Sequence, residues 1–304
     1  MMDLSICIVN WNTKVLLQDC LTSIYQHIKN LSFEIFVVDN NSSDDSVAMV
    51  RAQFPRVKLI QNTDNVGYAQ GNNHAIKLSK GNYILLLNTD TLLLDAAIEE
   101  MKKFMDENKD VAICGCRHIH SDGSAHASHG RFLTLGQMFI RLFYPKSLRE
   151  KILFCPQDLT TPHPIETDSI SGAGLMVRRE AFNQVGMMDD QFFFYYEETD
   201  WCYRMKKSGW RVCWLPWLQM IHYGGASANK EPSRFDAELY KSEYRFFRKH
   251  YGVLSAMILK IFNSIHLLIK IGKSIFAVLY RINNKPKLEY HMRVLKNNWR
   301  SLMA

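Results

Sequence analysis

The sequence predicts an α/β protein built on a mainly parallel sheet with flanking helices. Three observations carry this prediction. Short apolar runs alternate with helical periodicities through the first hundred residues, the order of a sheet whose strands are joined by helical crossovers. The runs are almost continuously apolar, as in parallel strands buried on both faces. Four of them end in Asn or Asp, which puts polar groups at one edge of the sheet, where ligands bind in such folds.

Leu4-Ser5-Ile6-Cys7-Ile8-Val9 reads as the first strand, and Leu16, Leu17, Cys20, Leu21 and Ile24 then recur at helical spacing. Phe33–Val38 is the second strand. Ser43 or Asp44 is expected to cap the helix that carries Val47, Val50 and Phe54. Residues 57–60 form a third strand, followed by a helix through Ala75, Ile76 and Leu78 that Gly81 ends, and residues 83–87 form a fourth. Residues 117–168 read as a long irregular stretch with one apolar piece around Leu135 to Phe143. A small-residue strand over 169–177, a helix from Arg179 to Val185, an acidic helix start at Glu197-Glu198 and a late strand over 210–214 follow, and residues 220–225 close the domain.

The polar strand ends are Asn10-Trp11-Asn12, Asp39-Asn40-Asn41-Ser42-Ser43, Asn62-Thr63-Asp64-Asn65 and Asn88-Thr89-Asp90-Thr91. Asn and Asp are ordinary turn and cap formers. Four sets on one edge point instead to a ligand with many donors and acceptors, such as a nucleotide sugar. Neither G-x-G-x-x-G nor a phosphate-loop pattern occurs, which disfavours dinucleotide and P-loop chemistry.

The chain has 304 residues, 47% hydrophobic and 22% charged, a balance typical of one large folded domain with an appendage. Its start, Met1-Met2-Asp3-Leu4, has no basic segment before an apolar one and predicts no signal peptide. Seven scattered cysteines without a paired C-x-x-C spacing fit a reduced, cytoplasmic setting. The formal charge of +7 is uneven: residues 226–304 carry 15 Lys and Arg against 5 Asp and Glu. The basic character therefore belongs to the C-terminal quarter and argues for an anionic surface there, not for a nucleic-acid groove.

Seven ordered segments resemble the family 2 glycosyltransferases of the GT-A fold, in particular the rhamnosyltransferase-like group. They are VNWN at 9–12, VVDNNSSDDS at 37–46, NVGYAQGNN at 65–73, LLLNTDT at 85–91, SGAGLMVRREAF at 171–182, FFFYYEETDWCYRMKKSGW at 192–210 and IHYGGAS at 221–227. The resemblance implies an inverting transferase using a nucleoside-diphosphate sugar, with rhamnose suggested by the subgroup. It also implies a domain over residues 1–227, with a nucleotide-sugar half over 1–91 and an acceptor half over 92–227. Residues 228–304 then form a basic, helical, membrane-associating tail. The family's Asp-x-Asp metal motif stands here as Asn88-Thr89-Asp90, and its Glu-Asp base pair as Glu197-Glu198.

On this resemblance Glu198 matches the catalytic base, with Glu197 the alternative. Asp90 and His222 are the expected ligands of Mg2+ or Mn2+ on the donor diphosphate. Zinc is not expected, because the sequence offers no evident cluster of His and Cys. Asp39 is expected to accept from the imide N–H of uracil or thymine, so the donor is dTDP- or UDP-linked. Asn10, Asn12, Asn65, Gly67, Asn72 and Asn88 are expected to line the donor, and Trp201 and Asp200 the acceptor. Asp200 and Arg204 are also spaced to form a helix pair. A nucleotidyltransferase would want a more basic first loop than Asn10–Lys14. A catalytically silent glycan-binding or scaffold protein of the same fold would not need Glu198, Asp90 and His222.

In the tail, residues 251–282 are apolar but interrupted by Lys260, Lys270, Lys273 and Arg281. On a helical wheel these fall with Asn263, His266 and Ser274, opposite Phe262, Ile265, Leu268, Ile269, Ile275, Phe276 and Leu279, with Leu267 and Val278 as exceptions. No uncharged run approaches the ~20 residues that span a bilayer. The pattern predicts a helix lying in an anionic membrane interface, on the inner face of the cytoplasmic membrane, where a glycan or lipid-linked acceptor would be met. Packing on the domain itself or in an oligomer is the competing expectation.

Overall fold

The computed structural model describes residues 2–153, 161–226, 228–279 and 285–300. In chain order its elements are β1 (Leu4–Asn10), α1 (Lys14–His27), β2 (Phe33–Asp39), α2 (Ser46–Gln53), β3 (Lys58–Gln61), α3 (Tyr68–Leu78), β4 (Tyr83–Asn88), β5 (Thr91–Leu93) and α4 (Ala97–Glu107). Then follow β6 (Val111–Ile119), β7 (Ala125–His126), β8 (His129–Gly130), α5 (Leu135–Phe143), α6 (Lys146–Leu153), β9 (Ile165–Glu166), β10 (Ser169–Ile170), β11 (Gly174–Arg178) and α7 (Arg179–Val185). The last are α8 (Glu197–Lys207), β12 (Arg211–His222), α9 (Pro232–Tyr251), α10 (Val253–Leu279) and α11 (Lys285–Arg300).

The chain divides into two compact units. The first comprises residues 1–132, 156–193 and 197–227, and the second residues 133–155, 194–196 and 228–304. In the first unit the main sheet runs β3-β2-β1-β4-β11-β6-β12-β5. β1, β2, β3 and β4 pair in parallel, with Asn10 level with Asp39 and Val9 level with Asn88. That register brings the polar strand ends to one edge. β11 then enters antiparallel between β4 and β6, and β12 runs parallel to β6. Ile6, Ile8, Val37, Leu85 and Leu87 from the strands and Leu17, Leu21 and Ile24 from α1 are fully buried in the core. Side chains of this kind are each worth ~1.5–3 kcal/mol on burial.

Several local expectations change. The cap of α2 is Asp45, in a left-handed conformation, while the Asp44 carboxylate accepts from the Ser46 and Lys14 amides instead. The stretch at 117–168 is not irregular throughout. It continues β6 to Ile119, turns into β7, and includes α5 and α6. Thr134 and Gln137 form a reciprocal capping box at the start of α5, which sharpens that helix end. The late strand and the closing segment are one 12-residue strand, β12, with an irregularity between Leu215 and Gln219.

In the second unit α9 packs against α10 and α11, and α10 against α5. Its interior is held by charge as well as by Phe246 and Phe247. Glu243, with no exposed surface, pairs with Arg141 at 2.5 Å and accepts from Asn263 at 3.3 Å. The face of α10 turned inward therefore carries Ala256, Leu259, Asn263, Leu267 and Ser274. Ile265, Leu268, Ile269, Ile275, Phe276 and Leu279 are 43–73% exposed. Most of the apolar half of the wheel therefore faces outward, while Phe262 packs on Phe139 and Phe143 of α5. α10 is also the one helix among the described residues that is long and apolar enough to cross a membrane by length and composition. Lys260, Lys270 and Lys273 still divide it, so its longest uncharged run is residues 261–269. Arg281 lies outside the described residues.

Candidate active site

The carboxyl ends of β1 and β2 build the first wall. Asn10 donates to the Asp39 carboxylate at 2.8 Å and to Ser42 Oγ at 3.0 Å, and accepts from Thr13 Oγ1 at 2.7 Å. Asp39 also accepts from the Ser42 amide, so the loop after β2 folds back onto this carboxylate. Asn12, at φ 57°, accepts from the Ser43 amide. Asn65 accepts from the Gly67 amide and from Asn40. Asn72 is fully buried and donates to the Tyr68 carbonyl, and its Oδ1 has no partner among the described residues. The carbonyl of Asn88 accepts from Thr91 Oγ1 and from Cys20. These side chains thus brace one another along the strand edge.

The acidic pair is fixed to this wall by the backbone. The Tyr68 amide donates to the Phe193 carbonyl at 2.7 Å, and the Tyr68 hydroxyl donates to the Gly172 carbonyl at 2.6 Å. Gly67 makes the approach possible. It sits at φ +86°, and a Cβ there would lie 2.3 Å from the Phe193 oxygen. Tyr195 and Tyr196 both adopt left-handed φ angles of 68° and 67° just before α8 begins. Residues held there cost on the order of 1–3 kcal/mol each and concentrate at functional sites.

Glu197 and Glu198 open α8. Burial pushes the Glu198 carboxyl up to about 7. Burial, and then the neighbouring Glu198, push Glu197 well above the usual carboxylate range, and its Oε2 has no partner among the described residues. Both shifts favour the protonated folded state. That contribution to stability is complete below the ordinary glutamate value and is lost as pH rises through the raised one. Glu197→Gln is therefore expected to be more stable than the wild type at pH 8, by a Tm increase on the order of 2–4 °C, and equal to it near pH 4. Thermal melts at the two pH values check this, and an equal difference at both would remove the pair as its cause.

Trp201 and Asp200, the residues expected toward an acceptor, lie in the first turns of α8. Both have no exposed surface. Trp201 Nε1 donates to the Gly186 carbonyl, and Asp200 pairs with Arg204 at 2.8 Å, whose other nitrogens hold the Val185 and Met187 carbonyls. Their work is to anchor α8 to the end of α7.

The second polar centre lies at Asp90 and His222, whose Oδ1 and Nε2 are 3.3 Å apart. β5 and β12 set this contact by placing Thr91 level with His222. Burial alone would raise the Asp90 carboxyl. The His222 ring and the Ala226 amide outweigh it and hold the group below its ordinary value, so it stays ionised. An anionic oxygen beside an imidazole fits a divalent cation. The sequence reading found no histidine cluster, and here the fold corrects it: His118, His126 and His222 put ligand atoms within 4.8 Å of one another. Burial first, then His222 and His126, keep His118 neutral. A signal for this was present. Asp122-Gly123 is a hairpin turn, and it sets His126 level with His118.

The sequence matches the family described as glycosyl transferase family 2 over residues 5–186. It is 26% identical over 234 residues to the N-acetylglucosaminyl-diphospho-decaprenol L-rhamnosyltransferase of Mycobacterium tuberculosis, covering 72% of this chain and 76% of that protein. It is also 26% identical over 283 residues to the dTDP-rhamnosyl transferase RfbF of Shigella flexneri, covering 89% and 86%. The mannosyltransferase PcManGT from Pyrobaculum calidifontis, solved with GDP-Man and Mn2+, shares the fold at a TM-score of 0.58 and 14% identity, over 98% of this chain and 86% of that one. With a GT-A type sheet and more than half of the chain matched, the protein belongs to glycosyl transferase family 2.

Proposed function

We propose that the protein transfers a sugar, rhamnose on the evidence of its relatives, from a dTDP- or UDP-linked donor to a glycan or lipid-linked acceptor in surface polysaccharide synthesis. The displacement is single and inverts the anomeric carbon. The observation that carries this reading is the pinning of the Glu197-Glu198 pair, through Phe193, onto Gly67 and Tyr68 beside the donor wall. An acceptor hydroxyl is a poor nucleophile, and Glu198, raised toward neutral pH, is suited to take its proton as it attacks. Asp39 holds the base of the nucleotide, and Asn10, Asn12, Asn65, Gly67, Asn72 and Asn88 line the rest of residues 1–91 as the donor half. Residues 92–227 supply the acceptor half.

Asp90 and His222 are the residues that would hold a divalent cation, Mg2+ or Mn2+, which neutralises the departing diphosphate. The test is a panel of nucleotide sugars, each with and without metal, scored by thermal stabilisation and by transfer. Stabilisation by no nucleotide sugar would leave the alternative of a silent glycan-binding protein.

The tail completes the reading. The outward apolar face of α10, in a region of net charge +10, supports a helix lying in an anionic interface, with residues 228–304 bringing the domain to lipid-linked acceptors on the cytoplasmic side. Removing α10 whole would uncover Glu243 and the packed face of α9. The sharper experiment exchanges Leu254, Ile261, Leu268 and Phe276 together for serine. Binding to vesicles of anionic lipid is expected to fall at least about tenfold, and wild-type binding to weaken but persist in high salt. Unchanged flotation of the variant would assign that face to another copy of the chain.

A further inference from the structure

His118, His126 and His222 come from three adjacent strands. β7 pairs with β6 so that His126 lies level with His118, and β12 runs beside β6 with Met220 level with His118. The rings meet edge to face, with centroids 5.3 Å apart for His118 and His222 and 4.7 Å apart for His126 and His222. His118 has no exposed surface, and neither of its nitrogens has a hydrogen-bond partner among the described residues. A buried polar atom left so costs on the order of 1–3 kcal/mol.

The two other rings are each held from one side. His126 Nδ1 lies 3.1 Å from the Ala127 carbonyl, which fixes the N–H there and leaves the lone pair on Nε2. His222 Nε2 contacts Asp90, while its Nδ1 is buried without a partner among the described residues. A ligating imidazole whose second nitrogen is held by a carbonyl or a carboxylate is the usual arrangement around a protein-bound metal. The backbone also makes room: a Cβ at Gly224 would lie 2.8 Å from His126 Nε2.

We propose that His118, His126 and His222 bind one transition-metal ion of the kind that imidazole prefers, Mn2+, Co2+ or Zn2+, in preference to Mg2+. Three neutral nitrogens discriminate against Mg2+, which keeps oxygen ligands and water. Asp90, 3.3 Å from the His222 ring, supplies the nearest anionic charge and is the further ligand of the same ion in the function proposed above. The ion's use in transfer rests on the function proposed above; its binding does not.

The full chain, stripped with chelator and titrated with Co2+, tests this. Expected is one equivalent bound, with the intense visible absorption of low-coordinate, nitrogen-ligated Co2+, undiminished by excess Mg2+. His126→Ala, at a half-buried position, is expected to weaken Co2+ binding roughly 100-fold or more, and His118→Ala likewise. Circular dichroism of His126→Ala guards against a misfolded His118 variant. A pale octahedral spectrum, or wild-type Co2+ affinity in a folded His126→Ala, overturns the site. The same samples assayed for sugar transfer separate the two claims. Tight Co2+ binding without transfer leaves the site and removes its catalytic use, and transfer with unaltered metal binding in His126→Ala does the opposite.

Discussion

Glu198→Gln is expected to lower kcat by about 10²–10⁴-fold while the KM for the donor stays within a small factor. Glutamine keeps the shape and burial of the side chain but cannot accept the acceptor's proton. The donor contacts proposed above lie on the other wall and should be left intact. The wild-type rate should rise with pH through about 7, where the Glu198 carboxyl ionises, and the variant should lose that limb. Steady-state kinetics over a pH series, with Glu197→Gln in parallel, decide the assignment. Near-normal turnover in Glu198→Gln together with collapse in Glu197→Gln would reverse the two roles.

Asp90→Ala should be the most damaging change at the donor end, with kcat/KM falling about 100-fold or more, since cation neutralisation of a leaving diphosphate is worth several kcal/mol. The carboxylate also accepts from the Ala226 amide, so Asp90→Asn is the better-folded companion. His222→Ala should weaken donor binding less. Donor affinity measured by calorimetry with and without metal separates the effects: Asp90→Asn should bind donor as weakly with metal as the wild type does without. Full wild-type activity in excess chelator would sink the assignment of a cation to this pair.

The first four strands were legible because parallel strands buried on both faces leave unbroken apolar runs, and each was followed by a turn residue. The polar strand edge was legible for the same reason, since the ends of those runs are fixed by the runs themselves. What escaped the sequence was set by pairing between distant segments. His118 and His126 meet across a hairpin, and neither reaches His222 until β12 lies beside β6. The burial of Trp201 and Asp200 was set by helical phase, which turns both toward the end of α7. α5 and α6 were hidden because short helices carry too few turns for periodicity to stand out. The two faces of α10 were separated correctly on the wheel. Which face turns inward follows the buried Glu243, whose carboxylate pairs with the half-buried Arg141 and accepts from Asn263.

The bond from the Tyr68 amide to the Phe193 carbonyl joins residues 125 positions apart in the chain. Because it fixes the start of the acidic segment directly to the polar strand edge, the reach from the proposed donor site to the proposed base does not depend on the length of polypeptide between them. Closing a longer loop costs only ~0.6 kcal/mol for each doubling of its length. The intervening stretch can therefore gain or lose residues during descent while the distance that governs chemistry is conserved. A lineage built on this frame can change what it glycosylates without having to reinvent how.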